Sequence, residues 1–250
     1  MKTLKRPLLF TLALLPAAAV GGYFVALYQL EIYDAATVAQ LVEEIGSREL
    51  LLAITVVQTV LYALFCGIVG GLLAQKLGLL RPFGFQKAPL VRCLLLSLAG
   101  GILFSLDPWV FGRWIPAVGP DTVQLATLAG WIGSVLYGGI VEELLLRLFF
   151  LSLLAFLLWK IFFKKQESVP TGVLVAANVV AALLFAAGHL PATVMLFGEL
   201  TAPVLVRCFW LNGGFGLLFG WLYRKYGIQY AMLSHALLHI ISKLVWALAL

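Results

Sequence analysis

The sequence predicts an all-α polytopic membrane bundle of about seven transmembrane helices, and three observations predict it. Of the 250 residues, 63% are hydrophobic and only 11% are charged. A soluble domain of this length has no core large enough to hide that much apolar surface. The apolar residues fall in stretches of about 20 or more, the length that crosses a hydrocarbon layer as a helix. Lys and Arg gather in alternate connections between those stretches, as the positive-inside rule requires. The formal net charge of +6 is therefore a topology signal and gives no reason to expect a nucleic-acid partner. Cys66, Cys93 and Cys208 are scattered without CxxC spacing and read as small packing residues.

Each element can be justified in order. MKTLKR followed by PLLFTLALLPAAAVGG resembles a signal peptide. The apolar run continues to Leu30, about 23 residues, which favours an uncleaved first span with a cytoplasmic N-terminus. Residues 31–49 hold Glu31, Asp34, Glu43, Glu44 and Glu49 against Arg48 alone, and read as an extracytoplasmic surface helix. A second span covers 50–74, with Gly67, Gly70 and Gly71 offering close helix approach. Lys76, Arg81, Lys87 and Arg92 surround the next connection, where RPFG is turn chemistry. The third span covers 90–106, and DPWVFGRWIPAVGPD reads as an interfacial loop with aromatic anchors.

Residues 122–163 are apolar for longer than one span needs, since ~42 helical residues reach ~60 Å. Either Gly138-Gly139 kinks the run or its end lies along the interface. Counting this run once keeps Lys160, Lys164 and Lys165 on the side of the 76–92 connection; counting it twice gives eight spans and moves them across. Further spans follow at 171–190, 201–223 and 228–249, and Arg224 and Lys225 return to the basic side. With the run counted once, 12 of the 17 Lys and Arg lie on the inner side. The chain reads as one integral membrane domain over 1–250, set in a cytoplasmic membrane of bacterial type, with its chemistry in a core from about 122 to 250.

That chemistry begins at GGIVEELLLRLF, residues 138–149. An ionisable side chain inside a span costs several kcal/mol and marks function by default. On an α-helix Glu143 and Arg147 lie at i and i+4, about 40° apart, and can neutralise each other. Glu142 points about 100° away. A purely structural Glu–Arg pair would explain Glu143 and Arg147 and leave Glu142 without a partner. His189, His235 and His239 are the three histidines of the chain, and all fall inside spans. Phe185 precedes His189 by one turn, and Asn178 lies close to the same face further back. His235 and His239 share one helix face, a spacing that suits joint metal ligation or joint hydrogen bonding to one substrate group. At ~1.5 Å per residue from the basic loops, the four groups reach a common depth somewhat beyond the inner third.

These residues resemble a known family. EExxxR at Glu142, Glu143 and Arg147, FxxxH at Phe185 and His189, and Hxxx(N/D) from His235 look like the CPBP intramembrane proteases, over about residues 122–245. That family includes type II CAAX prenyl endopeptidases and bacteriocin-immunity, abortive-infection-type proteins. His239 stands where the family has Asn or Asp. The resemblance implies hydrolysis of a peptide bond in a membrane-associated or lipidated substrate. Glu142 is expected to activate water, His189 to orient it, and His235 with His239 to stabilise the oxyanion. Glu143, Arg147, Phe185 and Asn178 are expected to support the site. Zinc stays open as a cofactor, since Glu142, His189, His235 and His239 form an adequate ligand set. Two other classes stay open as well: an inactive scaffold or immunity protein that binds a peptide, and a transporter, although no inverted repeat is visible. Membrane lipids are the other expected partner.

Overall fold

The computed structural model describes residues 2–122 and 127–250. Among the described residues, seven helices are long and apolar enough to cross a membrane: Leu4–Ile32, Arg48–Lys76, Lys87–Phe111, Leu128–Phe162, Thr171–Phe197, Ala202–Tyr226 and Ile228–Ala249. They correspond to the seven expected spans. The third runs about five residues past its expected end, and the fifth about seven. The fourth was expected to open at 122, but residues 123–126 lie outside the described residues.

The connections have structure of their own. Ala35–Ile45 is the helix expected between the first two spans, and none of its residues is buried. Asp34 caps it, accepting hydrogen bonds from the backbone N–H groups of Ala36 and Thr37. The stretch expected as an interfacial loop instead winds into a helical turn, Asp107–Phe111, and a 3₁₀ turn, Pro116–Val118. Arg207 explains this, because its guanidinium grips Asp107 through two hydrogen bonds of 2.8 and 2.6 Å. Phe111, Ile115, Val118 and Val204 then pack as a small separate core.

The fourth span is central, touching the first, second, fifth, sixth and seventh. Lipid tails are as apolar as leucine, so close packing of small residues has to supply the attraction between helices. A Cβ on Gly70 would lie 2.7 Å from the backbone of Leu148, and one on Gly71 would lie 2.8 Å from Pro7. The small face anticipated on the second span therefore receives the first and fourth. The lipid-facing sides stay apolar, as with Val57, Leu61 and Phe65 on the second span.

From Ser134 to Leu151 the fourth span is a π-helix, where the sequence suggested a kink at Gly138-Gly139. Bonding from i to i+5 widens the coil, and such stretches gather at functional sites. The angular offsets expected for Glu142 and Glu143 assumed α-winding and change accordingly. A second π-stretch, Phe209–Gly214, lies in the sixth span.

Candidate active site

The π-stretch of the fourth span carries Glu142, Glu143 and Arg147. Arg147 Nη1 lies 3.2 Å from Glu143 Oε1, with both side chains almost wholly buried. The guanidinium also sits over the rings of Phe185 and Phe219, 4.5 and 5.4 Å from their centroids. Gly216 makes room for it, since a Cβ there would lie 3.0 Å from Nη2. The expected pairing of Glu143 with Arg147 is present, and it has a third member. His235 Nδ1 is 2.9 Å from the same Glu143 oxygen, joining the seventh span to the fourth.

That contact defines His235. A carboxylate only accepts, so Nδ1 carries the proton and Nε2 keeps its lone pair. The ring is clamped flat, stacked on Phe219 with centroids 4.4 Å apart. His189 is oriented by a different device at a helix joint. Helix Thr171–Gly188 ends there and helix Leu190–Phe197 begins, with Pro191 in its first turn. At the joint the His189 N–H turns to Ala186 O. The His189 ring then donates from Nδ1 to Phe185 O at 2.8 Å, which again leaves Nε2 unprotonated.

Both free Nε2 atoms face Glu142. His189 Nε2 is 3.8 Å from its Oε1, and His235 Nε2 is 3.8 Å from its Oε2. These separations are too long for direct hydrogen bonds and suit a bridging water. His239 stacks beside His235 with centroids 5.1 Å apart, and its Nδ1 is buried without a partner. Gly138 provides the space in front of the pair: a Cβ there would stand 3.2 Å from Nε2 of both rings.

A cavity of about 250 Å³ contains Glu142, His189, His235 and His239 together, with Phe185 in its wall. Asn178 is not among its lining residues. Its amide donates to Leu217 O at 3.1 Å, and Gly220 leaves space for its side chain. It therefore ties the fifth span to the sixth, and the support it gives is to the helices. The sequence reading missed Tyr28 and Gln29 of the first span, and Tyr137 and Asn212, all of which line the cavity. Apart from lying within apolar runs, they carry no pattern that could have marked them.

Residues 124–241 match the family model described as Type II CAAX prenyl endopeptidase Rce1-like. The matched range spans the EExxxR, FxxxH and Hxxx(N/D)-type positions, so the suspected resemblance and the family model fall on the same residues. No curated protein and no solved structure matches the chain significantly. Among the described residues, no three His, Cys, Asp or Glu side chains gather at metal-ligand spacing.

Proposed function

We propose that the chain is an intramembrane endopeptidase that hydrolyses a peptide bond of a membrane-associated or lipidated peptide or protein with a water activated by Glu142. The observation that carries this reading is the Glu142 carboxylate standing between two imidazole Nε2 atoms, 3.8 Å from each. A water bridged there donates one proton towards Glu142 and the other to His189, which fixes its lone pair for attack. Attack on the carbonyl carbon places negative charge on the carbonyl oxygen, and donors aimed at that charge lower the barrier.

His239 is assigned as one donor. With its Nδ1 unpartnered, it is free to carry its proton on Nε2, towards the space over Gly138. This is how a histidine can serve where the family has Asn or Asp. His235 has its Nδ1 proton committed to Glu143 and donates from Nε2 only as an imidazolium. The Glu143 carboxylate stabilises that form and holds the ring, as the acidic member of a hydrolytic triad does. Glu142 then returns its proton to the leaving amine.

Glu142→Gln tests the assignment. It keeps the side-chain shape and removes the base, so hydrolysis of a membrane-associated peptide by purified protein should fall at least ~10²-fold, with the melting temperature unchanged. Normal cleavage by a normally folded Glu142→Gln protein would transfer the weight to the peptide-binding scaffold reading.

A further inference from the structure

The cavity around Glu142 is closed at one end of the bundle and open at the other. Its wall includes Tyr28 and Gln29 from the last turns of the first span and Tyr33 just beyond it. Ser134, close to the start of the fourth span, and Leu196, next to the end of the fifth, complete the same end. The end of the first span and the start of the fourth lie together, since Thr127 donates to Glu31 at 2.5 Å. Towards the opposite end, beyond Glu142, the chain is packed shut. Leu148, Leu151, Leu222 and Tyr223 are buried to within 1%. The Tyr223 hydroxyl and Ser152 meet at 2.7 Å in the same layer. Still further out, the 81–86 connection is tied down, with Gln229 donating to Gly84 O and Gln86 N–H donating to the Tyr230 hydroxyl.

The two ends carry opposite charge. The closed end holds the twelve Lys and Arg counted above and a single acid, Glu167. The open end holds eight of the 11 Asp and Glu and only Arg48, Arg113 and Arg207 among the bases. Glu31 and Asp34 flank Tyr33 at the mouth, and Glu199 follows Leu196 by three residues. A basic end is retained in the cytoplasm, because the K/R bias of short loops sets orientation.

We infer that the substrate reaches Glu142 from the acidic, extracytoplasmic end, as a membrane-bound peptide whose scissile bond lies on that side. The inference rests on Glu142 being the reacting group, but its test does not depend on activity. Gln29→Cys and Ser134→Cys place a thiol in the cavity wall at the open end, and Lys165→Cys places one on the closed end. Each is made in the full chain with Cys66, Cys93 and Cys208 replaced by Ala. A membrane-impermeant maleimide is applied to right-side-out cells and, separately, to inverted vesicles. The expected result is labelling of Gln29→Cys and Ser134→Cys from the outside with loss of that labelling in inverted vesicles, and the reverse for Lys165→Cys. Cavity thiols that label from the cytoplasmic face, or from neither face in a folded protein, overturn the inference. Because labelling reads access alone, it can fail while Glu142→Gln still abolishes hydrolysis, or hold while that variant stays active.

Discussion

His235 Nδ1 lies 2.9 Å from Glu143 Oε1, and Arg147 Nη1 lies 3.2 Å from the same oxygen. One buried carboxylate oxygen thus sets both the charge balance of the fourth span and the tautomer of a histidine on the seventh. Removing the charge on Glu143 should damage the protein in two separable ways. Arg147 would be left buried without its counter-charge, and breaking a buried pair from one side costs about 3–5 kcal/mol. His235 would also lose the acceptor that holds its Nδ1 proton and fixes the ring. Glu143→Gln is therefore expected to melt several degrees lower and to lose activity. Glu143→Gln/Arg147→Met should recover the melting temperature, since the orphaned cation is gone, while hydrolysis stays low. Recovery of both together would show that Glu143 serves stability alone.

Gly138 and Gly139 are adjacent and should fail differently. A methyl on Gly138 would stand 3.2 Å from Nε2 of His235 and His239 and occupy the space in front of both. A methyl on Gly139 would meet Ala236 Cβ at 2.9 Å and its backbone at 3.3 Å. Gly138→Ala is predicted to cost activity at near-normal melting temperature. Gly139→Ala is predicted to lower the melting temperature, by the roughly 1–3 kcal/mol typical of overpacking. Activity and melting measurements on the two variants, side by side, check the contrast.

Much of this arrangement could be read from the sequence because a bilayer leaves few options. Each span must satisfy its own backbone, so helix length and loop charge become visible in composition. Glu142, His189, His235 and His239 were conspicuous because an ionisable group in an apolar span has no inexpensive reason to be there. What stayed hidden depends on contacts between distant segments or on winding. Asp107 and Arg207 are 100 residues apart in the chain, and no local spacing joins them. The hydrogen bond from His235 to Glu143 crosses two spans for the same reason. The π-winding from Ser134 to Leu151 has no apolar period to announce it. Tyr28 and Gln29 look like the ordinary end of a span until the fourth helix is placed beside them.

Asp34 lies outside the spans and gives a pH test of the short helix Ala35–Ile45. Hydrogen bonds from the Thr37 backbone and hydroxyl, and from Ala36, hold its carboxyl below its usual value of 3.8. A depressed folded-state pKa gives stabilisation that is present above the unfolded value and is lost as pH falls through the folded one. Hydrogen exchange in residues 35–45 should therefore be slow at neutral pH and faster below about pH 3.8, once the intrinsic rate is corrected. Asp34→Ala should exchange fast at both, with the acid-dependent difference gone. An acid response that persists in Asp34→Ala would assign the effect to another group.

Lys243 offers the last test, and it concerns a cost the fold carries. It lies one helical turn beyond His239 on the seventh span with only 8% of its surface exposed. Among the described residues no carboxylate pairs with it; the salt bridges there involve Glu142, Glu143 and Asp107 with other partners. An ammonium taken out of water without a counter-charge costs several kcal/mol unless something else solvates it. Lys243→Met keeps the length of the side chain and removes the charge, so the variant should be more stable. Each ~1 kcal/mol gained should raise the melting temperature by about 2–4 °C for a chain of this size. Stability bought by removing a buried charge near a reactive site often comes with lost function, so hydrolysis is measured on the same preparation. A rise in melting temperature with unchanged hydrolysis makes Lys243 a structural burden. A rise with lost hydrolysis makes it a group on which the neighbouring site depends. A fall in melting temperature would mean that the ammonium is satisfied in the folded protein, and the cost assigned to it here would be wrong.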